Sequence, residues 1–252
     1  MQLAFWNFPP VECIETAAQS IGVQVEKQSA SSCVDLLNRE QVDFALLPVT
    51  TALAAADELD ILPGGAISSW EYPFAWIQRH ESFQQIQTLK SIPGRILEEF
   101  MIRVILKEHY GQKIRIVSDQ DADIELHLET DIPNHANGPG ILDLGQEWYE
   151  LAQYPMVWGV YCCLRERVND EMTQLLIKLT EEAELVAQSW GARSSSAKDQ
   201  FFGQSLRFRL DDVAIAGLTA IRDYMYYYGL TKDPAPLSIS NIEDAQQVPW
   251  WG

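Results

Sequence analysis

The sequence predicts an α/β protein of two lobes with an interlobe cleft, on three observations. Compact apolar runs alternate with helix-patterned segments through the first fifty residues. Phe44-Ala45-Leu46-Leu47-Pro48 is a near-continuous hydrophobic run, of the kind buried on both faces of a parallel sheet. A second strand-and-helix unit then follows mid-chain, before a stretch patterned entirely as helix. At 252 residues, 47% hydrophobic and 21% charged, the chain is large enough for two cores and shows no bulk disorder.

Each element has its own signal. Leu3 to Trp6 is a short strand, turned by Asn7-Phe8-Pro9-Pro10. Val11 to Ser20 places Val11, Ile14 and Ala18 on one helical face, with Gly22 as its stop. Val23-Gln24-Val25 alternates as a strand, and Ser31 or Ser32 is in place to cap a helix through Val34, Leu37 and Asn38. After the Phe44–Pro48 strand, Thr50 or Thr51 can cap a helix reaching Asp57. The apolar stretch from Leu59 to Ile77 reads as a strand or strand pair leading into the second lobe. There Ile96 to Tyr110 is a helix ending at Gly111, and 114–117 and 124–128 are strand-like. The loop 130–140 is the most irregular stretch of the chain. Asp143 can cap a helix, with Gln146 reaching back in a capping box, and Tyr154–Tyr161 is an uncharged buried strand.

From Asn169 onward Met172, Leu175, Leu176, Leu179, Ala183, Val186, Ala187 and Trp190 form an apolar helical stripe. A last helix spans about 211–228, and the tail, ending in Trp250-Trp251-Gly252, is expected to dock on the body. The order of elements matches a type II periplasmic-binding-protein-like fold. Residues 1–74 and 163–252 are expected to form lobe 1, with the C-terminal helices packing back on it, and residues 75–162 to form lobe 2. Ser69–Trp76 and Trp158–Cys163 are the hinge candidates.

A formal charge of −18 argues against nucleic-acid binding, which needs a basic surface to displace counterions. It also means that an anionic ligand would rely on a few local cations. No apolar run reaches the ~18 residues of a membrane span. The start, Met1-Gln2-Leu3-Ala4-Phe5-Trp6, lacks a basic segment and cleavage site, so a cytoplasmic protein is expected. Cys13, Cys33, Cys162 and Cys163 show no CxxC spacing and read as free, buried thiols. His80, His109, His127 and His135 share no ligand spacing, so no metal site is expected. Nucleophile-elbow, P-loop and dinucleotide motifs are absent from the sequence.

The polar candidates each have a bland reading and a chemical one. Asn7 follows the first strand directly, at the carboxyl end of the sheet where open α/β folds bind ligands, yet it also suits a turn before two prolines. Ser68 and Ser69 are either lobe-junction hydroxyl donors or turn formers. Thr50 is a cap, a ligand contact, or both. Arg95, at the head of the second-lobe helix, either clamps a carboxylate or pairs with Glu98 or Glu99. The helix start Asp143, Leu144 and Gly145 beside an apolar strand is a natural seat for a carboxylate.

Several segments together resemble the chorismate dehydratases of the futalosine route to menaquinone. These are Phe5-Trp6-Asn7-Phe8-Pro9-Pro10, Val42–Pro48, Leu62-Pro63-Gly64 through Ile67-Ser68-Ser69, Met101–Gly111, Asp143-Leu144-Gly145-Gln146-Glu147-Trp148, and Tyr228-Gly229-Leu230-Thr231. The resemblance implies a cofactor-free removal of water from chorismate, a small anionic substrate, to give 3-enolpyruvylbenzoate. It implies that Asn7 is the catalytic polar contact and that Ser69 and Asp143–Gly145 help line the cleft. The chain departs from the family at Pro93-Gly94-Arg95-Ile96-Leu97-Glu98-Glu99, where a Ser/Thr-rich stretch is usual, and at Val49 and Ala75, where serines are expected. Either Arg95 replaces those hydroxyls, or the protein is a non-catalytic small-acid (solute) binding protein of the same fold.

Overall fold

The computed structural model describes residues 1–78, 86–92, 94–117, 122–133, 140–232, 237 and 239. His80, Pro93, His135 and the terminal tryptophans lie outside the described residues, as does 134–139 of the irregular loop.

Lobe 1 begins with β1 (Gln2–Trp6), α1 (Val11–Ser20), β2 (Gln24–Gln28), α2 (Ala30–Asn38), β3 (Phe44–Pro48), α3 (Val49–Ala54) and β4 (Leu59–Ser69). Lobe 2 follows with β5 (Ala75–Gln78), β6 (Thr88–Lys90), α4 (Ile96–Val104), β7 (Arg115–Val117), β8 (Ile124–Leu128), β9 (Ile141–Asp143) and α5 (Leu144–Ala152). The chain then returns through β10 (Met156–Leu164) and three helices, α6 (Asp170–Arg193), α7 (Ala197–Gln204) and α8 (Asp212–Tyr227). Helix α6 packs on α1 and β4, and α8 on β10, so the C-terminal helices cover lobe 1 as expected.

The two sheets repeat one plan. The first has the order β2-β1-β3-β10-β4 and the second β7-β6-β8-β5-β9. In each, three strands run parallel and the fourth is antiparallel to both its neighbours. That fourth strand is the one that has just crossed from the other lobe. Every residue of β3 is buried, which explains its unbroken apolar run.

Local departures from expectation have local causes. The cap of α2 is Ser29, whose hydroxyl accepts the Ser32 amide, while Ser31 and Ser32 bond to Ser29 through their side chains. Helix α3 starts at Val49 directly after Pro48 and has no side-chain cap, so Thr50 lies within its first turn. Helix α4 runs on through a π-helical turn, Ile105–His109, before Gly111 ends it with φ +69°. Asp143 caps α5 by accepting the Gln146 amide, but the Gln146 side chain reaches Glu150 instead of closing a capping box.

The hinge differs from expectation on one side. The outward crossing lies between Ser69 and Ala75, as read from the sequence. The return crossing is Gln153–Pro155, where Gln153 adopts φ 60°. Trp158–Cys163 is therefore not a hinge: Met156–Leu164 is one strand, paired to β3 and β4 of lobe 1 along its length. Residues 156–162, expected in lobe 2, lie in the first sheet. Their lack of charge reflects a central strand with neighbours on both sides.

Candidate functional site

A cleft between the lobes holds Asn7, Phe8, Pro9, Glu12 and Lys27 from lobe 1, and Arg95, Glu98, Leu128, Glu129 and Thr130 from lobe 2, with Tyr72 and Phe74 of the crossing between them. The duplicated strand order explains the pairing of its two chief candidates. Asn7 lies in the loop from β1 to α1, and Arg95 lies in the equivalent loop from β6 to α4. Both loops leave the carboxyl end of a parallel strand, where open sheets take their ligands. The cleft is about 140 Å³, below the ~300–1,000 Å³ of ordinary ligand pockets. The lobes thus stand close together, with Tyr72 and Phe74 walling the gap.

The Asn7 backbone amide is fixed to Gln28 at 3.2 Å, while its exposed side chain makes no hydrogen bond among the described residues. It is an unspent donor and acceptor facing the cleft. Arg95 is only 4.0 Å from Glu98, an ion pair at the edge of contact. Desolvation raises the Glu98 carboxyl from its ordinary value, although a backbone hydrogen bond and Arg95 pull the other way. Glu98 therefore holds a proton more readily than an ordinary glutamate. Lys27 is engaged by Glu15 at 2.7 Å.

Of the remaining candidates, Ser69, Asp143 and Gly145 hold the crossing segment, and none of the six lines the cleft. Ser69 is fully buried; its hydroxyl donates to the Glu71 carbonyl at 2.5 Å and accepts the Trp158 indole N–H at 2.8 Å. Tyr72 stacks on Trp158 with ring centroids 3.9 Å apart. The Asp143 carboxylate accepts the Tyr72 amide at 2.7 and 2.8 Å and the Gln146 amide at 2.9 Å. Gly145 lets helix α5 approach the crossing so closely that a Cβ there would stand 2.6 Å from the Glu71 carbonyl carbon. Leu144 is buried in the core. Ser68 bridges Arg207 through its backbone. Thr50 is buried with a hydroxyl that has no partner among the described residues, and it too lies off the cleft lining.

Asp143 carries a pH prediction. Desolvation pushes its carboxyl up to about 6 against the pull of the backbone amides. A folded-state pKa above the unfolded value favours folding at low pH, and that contribution is lost as pH rises through about 6. Its size is at most about 3 kcal/mol. Asp143→Asn keeps the capping oxygen and removes the titration. Between pH 4 and pH 7 the wild-type protein should lose stability relative to this variant in urea unfolding. A constant difference across that range would count against the assignment.

Metal and thiol chemistry find little footing near the cleft. His109, Glu147 and Glu150 bring ligand atoms within 4.8 Å of one another. Glu147 already accepts the Tyr110 hydroxyl at 2.6 Å, and none of the three lines the cleft. The four cysteines are free and buried, as expected, and burial pushes the Cys33 and Cys163 thiols up to about 12. No helix among the described residues is long and apolar enough to cross a membrane.

Sequence reasoning passed over Glu98, Glu129 and Lys27 as cleft residues. The i,i+3 spacing of Arg95 and Glu98 was the one signal available, and it read only as a surface ion pair.

A family described as "Menaquinone biosynthesis" matches residues 1–227 of the chain. The chain belongs to this family. No curated protein matches it significantly. Among solved structures, protein AF1704 from Archaeoglobus fulgidus superposes with a TM-score of 0.63 at 13% identity, covering 91% of this chain and 98% of that one. The periplasmic aliphatic sulphonate binding protein SsuA from Escherichia coli gives 0.62 at 11%, covering 95% and 90%. An ABC transporter protein from Parabacteroides distasonis gives 0.65 at 11%, covering 96% and 98%. At such identities the likeness is one of fold. This menaquinone-biosynthesis family member has the type II periplasmic-binding-protein-like architecture read from its sequence.

Proposed function

We propose that this protein is a cytoplasmic, cofactor-independent lyase that removes water from chorismate to give 3-enolpyruvylbenzoate. Family membership supports the pathway. The observation that carries the reading is the cleft pairing of Asn7 with Arg95, one neutral amide and one loosely held guanidinium from equivalent loops of the two lobes. A ring carrying two carboxylates suits such a crevice: Arg95 takes one carboxylate as a charge-assisted pair, and Asn7 meets the ether or hydroxyl oxygens.

The reaction itself asks little of the protein. The ring C–H beside the enol ether loses its proton, the neighbouring C–OH bond breaks, and the hydroxyl leaves as water once protonated. The ring becomes aromatic, so the step runs downhill. A carboxylate of the substrate is a base already in place for the ring proton. Glu98, whose carboxyl holds its proton longer than usual, is the protein group suited to protonating the departing hydroxyl. Position and exclusion of water supply the rest.

Purified protein incubated with chorismate should consume it and release 3-enolpyruvylbenzoate, followed by chromatography with absorbance detection. Chorismate binding without turnover at high protein concentration would instead favour the second reading, a solute-binding protein of the same fold. The missing hydroxyls at Val49 and Ala75 motivate that alternative.

A further inference from the structure

A ligand with two carboxylates needs more cation than the cleft lining offers. Lys27 and Arg95 stand there against Glu12 and Glu129, and Lys27 is already held by Glu15. The missing charge sits at the rim. Lys198, in the first turn of α7, reaches Glu12 with its ammonium at 2.8 Å and donates to the Thr130 carbonyl at 3.2 Å. Glu12 is in lobe 1 and Thr130 in lobe 2, and both line the cleft. Lys198 therefore ties the two lobes together across the opening. Its side chain is only 17% exposed, so little solvent competes for it.

An ammonium has three N–H donors; these two contacts use two of them, and the Phe202 ring lies 5.8 Å from the nitrogen at the edge of cation–π range. We propose that Lys198 is the specificity-determining cation for the ligand's second carboxylate, its third N–H completing a clamp whose other half is Arg95. This rests on the dicarboxylate reading above and gives it a selection rule: the protein should favour dicarboxylates over monocarboxylates of the same shape. The Thr130 contact couples that choice to geometry, because the ammonium meets lobe 2 only when the lobes are together. A monocarboxylate engages Arg95 and leaves the rim untouched.

The probes are 3-(carboxymethoxy)benzoate, with two carboxylates, and 3-methoxybenzoate, with one, titrated by calorimetry. Removing Lys198 alone would leave Glu12 unpaired beside the cleft and repel any anion. The comparison is therefore between Glu12→Gln and Glu12→Gln/Lys198→Met. The second should bind the dicarboxylate about 30-fold more weakly than the first, the scale of one charge-assisted hydrogen bond. Both should bind the monocarboxylate within about twofold of each other, a bound well inside one neutral hydrogen bond. Lys198→Arg should retain the dicarboxylate preference. Equal weakening of both probes would mark Lys198 as structural and overturn the proposal, as would no change in either. The outcomes separate from those of the enzymatic reading. A wild-type protein that prefers dicarboxylates through Lys198 yet leaves chorismate intact refutes the lyase and keeps the clamp. Turnover without that preference does the reverse.

Discussion

Asn7→Ala should lower kcat/KM for chorismate by about 10²-fold while leaving the urea midpoint of unfolding in place. The two halves of this expectation come from the same geometry. The Asn7 side chain is exposed and bonds to nothing among the described residues, so its removal costs the folded state no contact. Exposed substitutions of this kind lie within about 0.5 kcal/mol. Bound substrate changes the situation, since the amide then faces oxygens on which charge develops in a site shut off from water. Deleting one donor there removes about 1.5–3 kcal/mol of transition-state stabilisation. Steady-state kinetics beside a denaturation curve measures both quantities. A variant with full activity, or one that loses activity only by unfolding, would remove Asn7 from the reaction.

Gly145→Ala should destabilise the protein by about 3 kcal/mol or more, through overpacking of a site that cannot yield. An added Cβ would stand 2.6 Å from the Glu71 carbonyl carbon, 2.7 Å from the Tyr72 nitrogen and 3.0 Å from the Glu71 Cα. All three are backbone atoms of the outward crossing, so no side chain can rotate away. Relief requires α5 to move off the crossing, which pulls the Asp143 carboxylate from the Tyr72 amide. Gly22→Ala is the control. Nothing lies within 4 Å of its added Cβ, and only its φ of +74° resists, which costs about 1 kcal/mol. Urea midpoints of the two variants should differ clearly, with Gly145→Ala the lower. Equal midpoints would mean that helix and crossing are not held in contact.

The parts of the fold legible in the sequence were those with long, unmixed signals. The all-buried β3, the stripe of α6 and the glycine after α4 are each decided by local composition. The short strands Thr88–Lys90 and Ile141–Asp143 carry no such signal, because three residues gain strand geometry from their neighbours' hydrogen bonds. The return crossing was misplaced for a related reason: an uncharged run says that a strand is buried but not in which sheet.

The site divides along similar lines. Asn7 and Arg95 could be named because strand ends and helix heads are places the chain itself marks. Lys198 could not, since its partners Glu12 and Thr130 lie 186 and 68 residues away. Ser69, Asp143 and Gly145 were noticed for good reason, yet a hydroxyl, a cap and a small residue serve a hinge as well as a ligand. In the fold all three sit against the crossing segment at Glu71 and Tyr72.

The exchange of strands between sheets also sets an order of assembly on the ribosome. All five strands of the second sheet lie between Ala75 and Asp143, so that lobe is complete as soon as its own stretch has emerged. The first sheet is not. Its β3 and β4 are neighbours only through Met156–Leu164, which is synthesised after the whole of the other lobe. The gap between β3 and β4 cannot close until a strand made almost ninety residues after β4 has emerged.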